Sequence, residues 1–273
     1  FGRGPETEAH HHDQHNFHPL NPMARDVLMK FGKVADPEHA VGFPNQVNAN
    51  HAAFENHTVF YADKMMFIGD IHAPLHQLDF ISKRVDIERE GGLSGGVFAK
   101  KVHFDVEGEM EAVAGEIYGK DWVRANVGWF ESRAGSTIKS DGEVRIVAGS
   151  GDGSALTVEP SIKVSGKISG HKVYLDAKDN SIVIEQQEKE GSSPEIISEG
   201  VNGVIQISSV GSVNISSVES VIQANGSGSI INIKTGDHYD LLVKGKVAAG
   251  NNQEGKDASV VLEAGQRITI DVG

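Results

Sequence analysis

The feature that most constrains this chain is a tandem octad. Val204-Ile205-Gln206-Ile207-Ser208-Ser209-Val210-Gly211 is followed at once by Ser212-Val213-Asn214-Ile215-Ser216-Ser217-Val218-Glu219, so Ile-Ser-Ser-Val returns after eight residues. A third octad opens at Ser220-Val221, and Val260-Val261-Leu262-Glu263-Ala264-Gly265 matches Ile268-Thr269-Ile270-Asp271-Val272-Gly273 position for position at the same separation. The same branched-x-aliphatic-x-small-Gly pattern marks Val144-Arg145-Ile146-Val147-Ala148-Gly149, and Val173-Tyr174-Leu175-Asp176-Ala177 with Lys178 in place of the glycine. Gly128, Gly135, Gly142 and Gly149 are spaced by seven. Each unit holds alternation for one short strand and then small residues for a turn, which predicts a mainly β, repetitive short-strand fold of the β-helix or prism type.

An octad has one inward row of two or three side chains and no second layer, so it must stack on others to bury them. A coil of a single-chain solenoid takes about 18–25 residues by comparison with known repeat lengths. Seven or eight is too short for such a coil, and the spacing therefore predicts three chains sharing each turn, each octad one side of a triangular prism, an intertwined homotrimer with no free lateral edge. In that arrangement Ile205, Ile207, Val213, Ile215, Val260, Leu262, Ile268 and Ile270 face the shaft axis as its packing residues.

The first part of the chain reads differently. Ten of the thirteen histidines lie in residues 1–76, whereas 23 of the 32 glycines lie from residue 101 onward. Gly91-Gly92 and Gly95-Gly96 read as a hinge, which divides the chain into an irregular docking region, 1–93, and a repetitive β region, 94–273. Within the former, Asn21-Pro22 can start a helix carrying Met23, Val27, Leu28 and Phe31 and ended by Gly32. Leu75, Leu78, Phe80, Ile81 and Val85 suggest a second helix over about 74–85, although the Val/Ile content of its end fits a strand equally well.

Asp and Glu number 38 against 25 Lys and Arg, a formal charge of −13, which repels phosphate backbones and argues against nucleic-acid binding. There is no cysteine, so disulfides, thiolate catalysis and Cys-ligated metals are excluded. No apolar run reaches the ~18–20 residues of a transmembrane helix. A start at Phe1 fits either a matured product or a segment of a longer polypeptide.

Several motifs carry possible chemistry. Phe67-Ile68-Gly69-Asp70-Ile71-His72 resembles the opening of metallophosphoesterases, in which Asp and His bind one of two metals. The family's further motifs, Gly-Asp-x-x-Asp-Arg-Gly and Gly-Asn-His-Glu/Asp, are missing from this chain, and a short strand with a polar turn accounts for the residues. His10, His12 and His15, within a His-rich arm, could gather an adventitious divalent metal, above all at a threefold axis. No cofactor is otherwise expected. Asp105, Glu107, Glu109 and Glu111 alternate and so project to one face, where two of them could serve a glycosidase or all could form a solvated row. Trp122, Trp129 and Phe130 could make a sugar-stacking platform, but read better as a plug at the entry to a β-helix. Gly149-Ser150-Gly151-Asp152-Gly153-Ser154 lacks the Lys-Ser/Thr of a phosphate loop and reads as a turn.

Octads of alternating aliphatics ending in Gly resemble the intertwined triple-stranded β-helix of contractile-tail phage spikes, the cell-puncturing needles, and of type VI secretion spikes. The resemblance covers residues 97–273. It is interrupted at Gln186–Pro194 and Gly245–Asp257, and no His-x-His metal tip follows the last octad. It implies a non-enzymatic structural protein of a bacteriophage virion, a tail or baseplate spike assembled in the host cytoplasm, whose partners are its own copies and, through residues 1–93, other virion proteins. The alternatives are a polysaccharide-degrading tailspike and a capsid-decorating or filament-forming β module.

Overall fold

The computed structural model describes residues 26–30, 51–53, 57–87, 89–90, 93–112, 115–149, 160–187, 192–250 and 257–271. Every regular element among them is a β-strand, and all but one of the strand pairings are parallel. The exception is a two-residue hairpin, Arg89–Glu90 against Leu93–Ser94. No helix is long and apolar enough to cross a membrane among the described residues.

The pairings sort into three ladders, which form the three faces of a parallel β-helix. On the first face Ser136–Ser140, Lys167–Gly170, Glu195–Ser198, Val221–Ala224 and Lys246–Ala249 pair in succession. On the second are Glu143–Ala148, Lys172–Ala177, Val204–Ser209, Ile230–Lys234 and Ser259–Glu263. The third holds Ile162–Val164, Ile182–Ile184, Val213–Ile215, Leu241–Val243 and Ile268–Ile270. Toward the N-terminus the turns between faces vanish. Asp70–Ile87, Gly96–Ala112 and Gly115–Ser132 each run as one long strand through all three faces, kinking at register shifts. Thr58–Ile68 covers the second and third faces, and Asp26–Lys30 pairs beside it on the third.

Each coil therefore closes within one chain, and this revises the expected intertwining. An octad is one face of a coil: Ile205 lies on the second face and Val213, eight residues on, lies on the third. The partner of Ile205 one coil later is Ile231. The seven-residue glycine spacing is the same geometry in a tighter coil. Gly128, Gly135, Gly142 and Gly149 sit at four consecutive corners, and three such steps make the 21 residues that separate Val127 from its partner Ala148. At one of these corners a side chain is impossible without movement, because a Cβ on Gly142 would stand 2.1 Å from the Asp121 carbonyl oxygen of the preceding coil.

The interior is a set of apolar columns running along the axis. One passes through Phe60, Phe80, Phe104, Ala125, Ile146 and Leu175 to Ile207 and Ile233, register partner to register partner, all buried. At its N-terminal end the rings stack, with centroids 5.0 Å apart for Phe60 and Phe80 and 4.9 Å for Phe80 and Phe104. Such columns put each apolar side chain against its counterpart above and below, so burial accumulates coil by coil.

Three further expectations change. Asp26–Lys30 is a strand where the sequence suggested a helix around Val27 and Leu28, and of the two readings left open for 74–85 the structure takes the strand, inside Asp70–Ile87. The sheet also runs without a break past the proposed hinge, since Asp70–Ile87 pairs directly with Gly96–Ala112. Residues 58–87 are thus regular coils rather than an irregular region. Finally, Phe130 lies in the interior while Trp122 and Trp129 stand outside on different faces, so the three form no plug.

Candidate functional site

Because alternate strand residues point outward, functional groups on a β-helix line up as ladders along a face. The second face carries the most varied one. In one outward column Lys101, Trp122, Glu143 and Lys172 are successive register partners, and in the next stand Asp79, His103, Arg124, Arg145 and Tyr174. The Arg124 guanidinium lies 4.8 Å from the Trp122 ring centre and that of Arg145 lies 4.3 Å from the Tyr174 ring centre, both within cation–π range. Both arginines also donate from Nε to Glu143 Oε1, at 3.0 and 3.2 Å. Burial raises the Glu143 carboxyl, but the hydrogen bonds and charges of Arg145 and Arg124 outweigh it and hold the group below its ordinary value.

At the N-terminal end of this ladder Asp79 is buried and serves three donors. His57 Nε2 pairs with its Oδ2, His103 Nδ1 lies 3.3 Å from Oδ1, and Gln77 Nε2 donates to Oδ1 at 2.8 Å. Burial alone would raise this carboxyl; His103, His57 and Gln77 overcome that and hold it at about 2. A carboxylate so tied is a poor general acid.

The third face carries a buried carboxylate ladder. Asp86, Glu111 and Glu131 occupy one column on three successive coils and are 2, 8 and 7% exposed. Arg84 donates to Asp86 at 2.9 Å and pairs with Glu109, Arg133 pairs with Glu111, and Lys163 lies 3.6 Å from Glu131. Gln187 closes over Glu131 with a 3.3 Å hydrogen bond. Burial raises the Glu111 carboxyl; Arg133 and Arg84 oppose this, while Glu131 and Asp86 reinforce it, and the net direction is upward. Every member thus lies against a cation, and the cluster is a closed ion-pair network rather than an open pair of carboxylates.

The other sequence candidates are distributed as follows. Ile205, Ile207, Val213 and Ile215 point inward and are fully buried. Val260, Leu262, Ile268 and Ile270 continue the same columns in the last described coil, where Val260, Ile268 and Ile270 are 40, 43 and 59% exposed. Asp105 lies on the second face and Glu109 and Glu111 on the third, because the register shift between Val106 and Glu109 turns the strand at Gly108. The expected single carboxylate face is therefore split by a corner. Asp70 and His72 open the first-face segment of their strand, with the His72 ring stacked on Phe98 at 4.8 Å. Among the described residues no group of three His, Cys, Asp or Glu side chains is placed to hold a metal ion. His10, His12 and His15 and the loop 150–154 lie outside the described residues.

The ladder of cations and aromatics on the second face was not legible beforehand. Its members lie 21 to 29 residues apart in sequence, and only the register brings them together. No protein-family model, curated protein or solved structure matches the chain.

Proposed function

We propose that the chain is a structural, non-enzymatic component of a bacteriophage virion, the rigid shaft of a tail or baseplate spike, assembled in the host cytoplasm. The observation that carries this reading is the parallel β-helix whose described coils stack from Thr58 to Ile270, with an apolar interior shared from coil to coil. Stacked coils that share ladders on all three faces resist bending, and their stability grows with each coil, which suits a part that transmits force. The reading requires no cofactor. The attachment to other virion proteins, expected of residues 1–93, is supplied by the part of that region that precedes the coils beginning at Thr58. Three copies associate, and since each coil closes within its own chain they do so side by side through their outer faces. The catalytic alternative, a polysaccharide-degrading spike, is less favoured because Asp79, Glu143 and the Asp86–Glu111–Glu131 ladder are all engaged by His, Arg or Lys.

Light scattering on the purified full chain tests the assembly. A mass three times 29.2 kDa supports the spike, and a strictly monomeric mass at micromolar concentration contradicts it. Detection of the chain in purified particles, rather than only in the lysate that yields them, tests its place in the virion.

A further inference from the structure

We infer that the second face between Lys101 and Tyr174 is a binding surface for a linear acidic polysaccharide with about one carboxylate per sugar ring. Four successive coils each present one permanent cation to this face: Lys101, Arg124, Arg145 and Lys172. The two outward columns that hold them contain one carboxylate over the same coils, Glu143, in a chain whose formal charge is −13. A cationic strip on so acidic a molecule is a local reversal: Arg124 and Arg145 are direct register partners one strand spacing apart, about 4.8 Å, and Lys101 and Lys172 extend the strip by one coil at each end in the neighbouring column. That period suits a polymer charged once per ring.

The strip is also pre-organised. Glu143 Oε1 accepts from both Arg124 and Arg145, which fixes the two guanidinium groups while leaving their side chains 46 and 44% exposed. Arginine in a fixed geometry matches a carboxylate better than a freely moving lysine does. Trp122 and Tyr174 hold the two guanidinium groups against their rings, and the partly exposed remainder of each ring adds apolar area that a sugar can touch. Two aspartates, Asp105 and Asp176, border the strip in the third outward column. They would repel the dense phosphates of a nucleic acid, whose binding needs many cations in a wide positive field. A sparsely charged glycan is accommodated within the narrower strip. None of this involves bond cleavage.

Affinity electrophoresis of the full chain in gels containing polygalacturonate, dextran or single-stranded DNA tests the inference. Retardation in polygalacturonate alone, relieved by 0.5 M salt, is the expected result. The R124A/R145A double variant should weaken it at least tenfold with an unchanged melting profile, and Lys172→Ala, at an exposed position outside the arginine pair, should weaken it two- to fivefold. Equal mobility in polygalacturonate and dextran would overturn the inference, as would full retention by folded R124A/R145A. Equal retardation by DNA would replace the glycan with polyanions at large and overturn it too. These readouts are independent of the oligomer mass that tests the spike.

Discussion

Coils between Thr58 and Ser132 and coils between Ser136 and Ile270 solve the same geometric problem with different chemistry. In the first group the chain turns corners inside unbroken strands of 17 or 18 residues, the core is stacked phenylalanine, and the third face is knit by Arg84, Arg133 and Lys163. In the second group strands of three to six residues end at turns, the core is Ile and Val, and coil lengths stretch from the 20 residues between Ile162 and Ile182 to the 32 between Val173 and Ile205. Insertions accumulate where corners are real turns, because a turn can lengthen without disturbing the ladders on either side. A corner built as a kink inside a strand has no such freedom. The N-terminal coils are therefore shorter on average, with 20 to 26 residues between register partners, the longest being the one whose corner carries the Arg89–Glu90 hairpin.

Buried charge gives the largest expected effect and falls on the C-terminal half. Ile215→Asp would place an unpaired carboxylate in a fully buried column and should cost more than ~4 kcal/mol, above the ~0.5–3 typical of a point change. Hydrogen exchange should show loss of protection around Val213–Ile215 and its partners while Gly96–Ala112 stays protected. Uniform loss along the whole rod would erase the distinction between the two halves.

Cavity formation should rank the two cores. Phe80→Ala should cost about 3–5 kcal/mol by lost burial. It should exceed Ile207→Ala in the same column by about 1 kcal/mol, because Phe80 is also stacked between Phe60 and Phe104. Denaturant melts of the two variants settle the order, and a larger loss for Ile207→Ala would mean that the aromatic stack adds nothing beyond area.

Corners offer a finer comparison. Gly115 has φ +104°, and a Cβ there would stand 1.8 Å from the Gly95 carbonyl oxygen; Gly135, one coil on with φ +88°, has open space around it. Gly135→Ala should cost only the backbone strain, about 1–2 kcal/mol, whereas Gly115→Ala must also displace a strand and should lower the melting temperature clearly more. Equal losses would contradict the tight N-terminal corner.

The smallest effect is a pH dependence. The raised carboxyl of Glu111 means the folded chain holds that proton more tightly than the unfolded one, so the group favours folding at acid pH and this contribution falls as pH rises above the ordinary value of 4.5. Glu111→Gln should therefore raise the melting temperature slightly at pH 7 and leave it unchanged at pH 4. Asp79 has the opposite sign: held at about 2, it stabilises the fold above pH 3.8 and loses that contribution as the pH falls toward 2. A lower melting temperature for Glu111→Gln at pH 7 would show that Arg133 and Arg84 outweigh burial.

The contrast between the halves also explains what the sequence revealed. Octads at Val204 and Ser212 stood out because each face ends in Gly or Ser, so strand, turn and alternation are all visible. The direction of Ile205, Ile207, Val213 and Ile215 followed from alternation alone. What an octad cannot say is whether the next face belongs to the same chain, so the period alone points to three chains where one suffices. In the N-terminal half the inward residues Ile71, Ala73, Leu78, Phe80, Val85 and Ile87 come in pairs seven residues apart. Seven residues is also two helical turns, which is why 74–85 resembled a helix. With no glycine to mark those corners, the period alone could not separate the two.

Closure of each coil within one chain is the central claim, and the cysteine-free sequence allows it to be tested directly. Gln206 and Asn232 are outward register partners on adjacent coils of the second face, at the ~4.8 Å separation of neighbouring strands that a disulfide can bridge. Oxidation of the Q206C/N232C variant, followed by denaturing electrophoresis without reductant, should give a single-chain band that runs faster than its reduced form. Covalent dimers or trimers as the main product would mean that the neighbouring coil comes from another chain, and would contradict the single-chain β-helix.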